Sequence, residues 1–184
     1  MNRHLNAIAG RLSLRPPQRK SLEILDRITE IEPPTKGADR AAALQVIRSE
    51  FPSVTDFERE FPSVCFALAT GVGKTRLMGA FISYLHLAHG FKNFFVLAPN
   101  LTIYNKLIND FSAGKPKYVF KGIAEFAVDA PAIITGDNYE ALAGPLLEQA
   151  YRCKINIFNI SKINSEVRGG KSPRIKRLSE SAGL

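Results

Sequence analysis

The chain has 184 residues, 45% of them apolar, which allows one domain with a full core and excludes disorder throughout. Its 25 Lys and Arg against 17 Asp and Glu give a net charge of +8, which favours a polyanionic partner such as nucleic acid but says nothing about fold. The two cysteines, Cys65 and Cys153, suggest neither a disulfide framework nor a metal site; no signal-like apolar core opens the chain, and no apolar run approaches the roughly 20 residues that span a bilayer, so a cytoplasmic protein without a membrane partner is expected.

Residues 1–20 carry Arg3, Arg11, Arg15, Arg19 and Lys20 with no acidic residue, which predicts a mobile basic arm over residues 1–16 rather than a packed element. Pro17 suits a first helical turn, and Leu22, Leu25, Ile28 and Ile31 recur at helical spacing until Pro33-Pro34 stops them. Gln18 stands at that helix start. Residues 35–62 read as a helical insertion on the edge of a domain spanning 17–184. One helix is expected near residues 41–51, with Leu44, Ile47 and Phe51 as its stripe, and a short second one opened by the capping pattern Thr55-x-x-Glu58.

The apolar run Val64-Cys65-Phe66-Ala67 predicts a buried strand. It leads into Leu68-Ala69-Thr70-Gly71-Val72-Gly73-Lys74-Thr75, after which Leu77, Phe81, Leu85 and Ala88 mark one face of a helix that Gly90 would end. Strand, glycine loop and helix in that order make a phosphate cradle. The loop over Thr70, Gly71, Val72, Gly73 and Lys74 can turn successive amides into one hollow, where the positive end of the following helix also points. Lys74 would add a charge for the β and γ phosphates, and the Thr75 hydroxyl could ligate the Mg²⁺ that ATP brings. Leu68 stands where the strict phosphate-loop pattern has glycine, and a dinucleotide fingerprint would need a glycine at Arg76.

Residues 93–98, continuous through Phe94-Phe95-Val96-Leu97, predict a parallel strand covered on both faces, and Asn100 can cap a helix carrying Ile103, Leu107 and Phe111. Further strands are expected at 117–120, 132–135 and 154–160, with a turn at Gly136-Asp137-Asn138. A basic loop over residues 168–171 and a last helix opened by Ser172-Pro173 complete the pattern. Alternating strands and helices from Val64 onward give an α/β class with a mainly parallel sheet, whose ligands bind at the carboxyl ends of its strands.

Ala69-Thr70-Gly71-Val72-Gly73-Lys74-Thr75 resembles motif I of superfamily-two helicases, and Leu14-Arg15-Pro16-Pro17-Gln18 resembles their adenine-reading glutamine motif. Ala98-Pro99-Asn100-Leu101 is similar to their motif Ia, and Phe158-Asn159-Ile160-Ser161-Lys162 to a later segment that grips the same nucleic-acid strand. From about residue 12 onward the chain looks like the start of a DEAD/DEAH-type protein of the kind found in Res subunits of type III restriction enzymes. The resemblance implies a RecA-like P-loop NTPase domain, with ATP and Mg²⁺ held by Gln18 and residues 70–75. It also implies DNA contacts at Pro99, Asn100 and Ser161, to which Arg168 and Lys171 could add phosphate contacts. A modification methyltransferase would be the parent's partner subunit.

Hydrolysis in that family needs an Asp-Glu pair at the end of a later strand, and no Asp-Glu occurs in this sequence. The nearest imitation, Phe126-Ala127-Val128-Asp129, is followed by Ala130-Pro131 and lacks the water-orienting glutamate. No catalytic residue is therefore assigned. The expectation is a domain truncated before the Asp-Glu strand, which would leave residues 64–68 as an unpaired edge. Two rival readings are a self-contained P-loop phosphotransferase and a non-catalytic nucleic-acid-binding fragment; against the first, neither an arginine-rich lid nor an acidic base at a strand end is evident.

Overall fold

The structure, a computed structural model, describes residues 3–35, 37–139 and 152–160. The chain divides into two compact units, Met1–Tyr84 and Leu85–Leu184.

The first unit is helical. Its basic lead-in is a packed helix, α1 (Arg3–Arg11), not a mobile arm: Leu5, Ile8 and Ala9 fall on one stripe and are buried, with Leu12 just beyond. That stripe was readable, but the basic residues between its members masked it. Helix α2 (Pro16–Ile31) starts on two prolines, whose missing N–H groups cost nothing in a first turn, and buries Leu22, Leu25 and Ile28. Helix α3 (Arg40–Glu50) is capped by Asp39, whose carboxylate accepts from the amides of Ala41 and Ala42. Ala43 and Ile47 of α3 close on Ile28 and Phe57, and Val54 and Val64 pack against that cluster. Each such fully buried aliphatic side chain contributes about 1.5–3 kcal/mol. Arg27 of α2 also reaches Glu50 of α3 at 2.6 Å, holding that carboxyl below its usual range, but the pair is exposed and solvent screens it.

Two expectations fail here. The Thr55 helix does not form; residues 52–60 are turns and irregular chain, and Glu58 sits at φ 53°, a conformation no helix continues through. Residues 64–68 form no regular element and belong to no ladder among the described residues, and Cys65 is exposed. An apolar run becomes a buried strand only where a neighbouring strand takes up its backbone groups.

Helix α4 (Lys74–His89) buries Leu77, Ala80, Ile82 and Tyr84, a face rotated from the predicted one. In the first unit the Tyr84 hydroxyl donates to Asp26 at 2.7 Å, and Phe81 lies 4.9 Å from Phe66. Gly90, at φ 73°, ends the helix, with its amide on the His86 carbonyl and that of Phe91 on Leu85, as a left-handed cap requires.

The second unit is built on a parallel sheet of β1 (Asn93–Ala98), β2 (Ala132–Ile134) and β3 (Lys154–Asn159), in the order β1-β3-β2. Helix α5 (Leu101–Phe111) packs on β1 and β3. Phe111 at its end, Phe120 and Phe126 are buried, with the Phe120 ring 5.4 and 4.9 Å from the other two, and Ile123, Ile155 and Ile157 are buried as well. The expected strand at 117–120 is a set of turns that delivers Phe120 into this cluster; Gly114 and Gly122, both at positive φ, flank it. Residues 124–128 form a short helix, α6 (Ala124–Val128), so Asp129 ends a helix instead of a strand and lies 3.9 Å from Arg152. Strand β1 was expected to be covered on both faces, but Phe95 is 52% and Leu97 46% exposed. Burial, and secondarily the charge of Asp129, pushes the Cys153 thiol up to about 12, so it stays protonated at neutral pH. The predicted helix after Ser172 and the loop at 168–171 lie outside the described residues.

Candidate functional site

The loop of residues 69–73 enters α4 in the first unit. Gly71 and Gly73 hold φ of 82° and 90°, the left-handed conformation that side chains oppose. Among the described residues, no protein acceptor takes the amides of Gly71, Val72, Gly73 or Lys74. Four successive N–H groups, on residues that are exposed or half-buried at the start of a 16-residue helix, form the donor set an anion needs. The loop's carbonyls, by contrast, are engaged. Lys74 Nζ donates to the Ala69 carbonyl at 2.9 Å, Gln18 Nε2 to Gly73 at 2.9 Å, and Arg15 Nη1 to Gly71 at 3.4 Å.

Gln18 is buried at 2% exposure and joins segments 55 residues apart. Its Oε1 accepts from the Arg15 amide at 2.8 Å, half of a capping box at the start of α2, which fixes the carboxamide so that its nitrogen meets Gly73. A Cβ added to Gly73 would stand 2.7 Å from that nitrogen, so only glycine fits beneath it. Arg76, in the first turn of α4, donates back to the Leu12 carbonyl at 3.4 Å. The segment at residues 12–18 and the phosphate loop are therefore clasped from both sides.

The structure thus brings Gln18 together with Thr70, Gly71, Val72, Gly73, Lys74 and Thr75. Arg15 and Arg76 are the members of this constellation that sequence reasoning missed. Arg15 is part of the quoted glutamine motif, and its position three residues before Gln18 was the available signal.

In the second unit, Asn100 caps α5 by accepting from the Ile103 amide at 2.9 Å, directly after the carboxyl end of β1. Strands β1 and β3 run parallel with Ala98 opposite Asn159, so Pro99-Asn100 and Ile160 leave the sheet at the same end. Ser161, Arg168 and Lys171 lie outside the described residues.

The family model "Type III restriction enzyme, res subunit" matches residues 11–181. The chain belongs to that family. That family is one of helicase-like P-loop ATPases with a RecA-like α/β domain, and the parallel sheet with its packed helix agrees with that class. The Res family generally uses ATP and Mg²⁺ and works on nucleic acid beside a modification subunit. No curated protein and no solved structure matches the chain. No described helix of this Res-family chain is long and apolar enough to cross a membrane.

Proposed function

We propose that this chain is the nucleotide-binding part of the first motor domain of a type III restriction-type DNA translocase, binding ATP with Mg²⁺ through residues 70–75. The observation that carries this reading is the run of four amides from Gly71 to Lys74 with no acceptor among the described residues, beside a lysine whose ammonium donates to a backbone carbonyl. Lys74 exchanges the Ala69 carbonyl for phosphate oxygens, a charge-assisted bond in place of a neutral one. Thr75 supplies the hydroxyl for the metal. Gln18 holds the loop through Gly73, and at 2% exposure its remaining N–H and lone pair would meet an adenine edge only once the carboxamide turns outward. Thr75 would hold the Mg²⁺ that accompanies the nucleotide, whose charge would offset that of the phosphates.

The chain binds without turning over. With no Asp-Glu pair, it lacks the acidic residue that holds the metal and the glutamate that orients water. Phosphate release, measured with and without DNA, is expected at the level of a Lys74→Ala control; turnover that depends on Lys74 would overturn this and favour a self-contained phosphotransferase.

We also propose weak, sequence-independent DNA binding through Pro99, Asn100, Ser161, Arg168 and Lys171, dominated by phosphate contacts. Fluorescence anisotropy with labelled duplexes of unrelated sequence should give similar affinities that fall as salt rises. An affinity indifferent to salt would contradict the mechanism.

A further inference from the structure

Arg15 is exposed, and among the described residues its guanidinium makes one long hydrogen bond, 3.4 Å to the Gly71 carbonyl of the phosphate loop. A guanidinium carries five donors, so most of its capacity is unspent. Among the described residues it has no carboxylate partner, whereas Arg19 pairs with Glu23 at 3.1 Å and Arg27 with Glu30 at 2.8 Å.

The surroundings reinforce the point. Residues 1–22 and 61–84, which supply the loop and everything clasped to it, contain no Asp or Glu. Arg15, Lys74 and Arg76 each rest on a backbone carbonyl of the loop or of Leu12, and none of them has a carboxylate partner among the described residues. Exposed cations around one loop attract an anion, most strongly at low salt. The backbone sets the position: Arg15 is the residue before α2, its amide is fixed by Gln18, and nothing lies within 4 Å of the point where Gly71 would carry a Cβ.

We infer that Arg15 is a second phosphate-binding cation of this site, donating to a phosphate oxygen of the bound nucleotide beside Lys74. The inference rests on the nucleotide-site reading above and extends it to a residue outside the loop. A planar fork suits a phosphate edge, and release from the Gly71 carbonyl exchanges one long neutral contact for a charge-assisted one.

The test uses the full 184-residue chain and two probes, MgATP and inorganic tripolyphosphate, titrated calorimetrically at low salt. Tripolyphosphate has no base, so it separates a phosphate contact from an adenine contact. Arg15→Gln keeps a donor for the Gly71 carbonyl but loses the charge, and Arg15→Lys keeps the charge. The expected result is that Arg15→Gln weakens both probes about tenfold or more, that Arg15→Lys regains most of the loss, and that ligand-free melting is unchanged. Loss for MgATP alone would overturn the inference in favour of a base contact. Wild-type affinity in Arg15→Gln would overturn it in favour of simple bracing of the loop, as would failure of Arg15→Lys to recover. If Lys74→Ala bound both probes as tightly as wild type, the nucleotide-site reading itself would fall, a result distinct from any Arg15 outcome.

Discussion

Gly73→Ala is expected to lose nucleotide binding and to destabilise the ligand-free protein more than Gly71→Ala does, although both glycines have nearly the same backbone conformation. At φ 82° and 90° either alanine adopts the left-handed region at about 1–2 kcal/mol. The two sites then diverge. A Cβ at residue 71 meets nothing within 4 Å, but one at residue 73 stands 2.7 Å from Gln18 Nε2. That nitrogen is hydrogen-bonded to the carbonyl of the same residue, so the Gln18 carboxamide must be displaced. It is 2% exposed, and a buried amide stripped of its partner costs a further ~1–3 kcal/mol. Displacing Gln18 also releases the Arg15 amide and frees the loop from α2, so the hollow loses its shape. Thermal unfolding followed by circular dichroism measures the difference; equal melting temperatures for the two variants would remove Gln18 as the support of the loop.

The legible part of this molecule was the part where local chemistry decides. Gly90 announces a helix end, Asn100 a cap, and the spacing from Leu22 to Ile31 announces α2, and all three are found in place; Gly71 and Gly73, read as the turning points of the loop, both sit at positive φ. What was not legible depended on partners distant in sequence. Residues 64–68 have a strand's composition but no neighbouring strand among the described residues, so half-buried Val64, Phe66 and Leu68 alternate with exposed Cys65 and Ala67. Residues 117–120 have β-branched and aromatic character, yet Phe120 serves an aromatic cluster with Phe111 and Phe126 from a set of turns. The arm that looked too basic to pack carries Leu5, Ile8 and Leu12, and burial of those outweighs charges that remain in solvent. At the site, the residue types of the loop were readable. The contact between Gln18 and Gly73, and Arg15's approach to Gly71, were not, because hydrogen bonds across 55 and 56 residues leave no periodic trace.

The central claim is that the loop ending in Lys74 is a phosphate site, and the most direct measurement is equilibrium titration of MgATP into wild type and Lys74→Ala. Lys74 Nζ lies 2.9 Å from the Ala69 carbonyl, on the loop that would enclose the phosphates, and α4 begins at that residue. Alanine keeps the helix and the loop amides but removes the ammonium. Hydrogen bonds between charged groups contribute about 1.5–3 kcal/mol each, and two such bonds to adjacent phosphates correspond to a loss of roughly 100-fold or more. Lys74 is exposed, so ligand-free stability should be unchanged and lost binding can be read as lost contact. The account predicts saturable MgATP binding by wild type and none within the same range by Lys74→Ala. Equal affinities for the two proteins would contradict it.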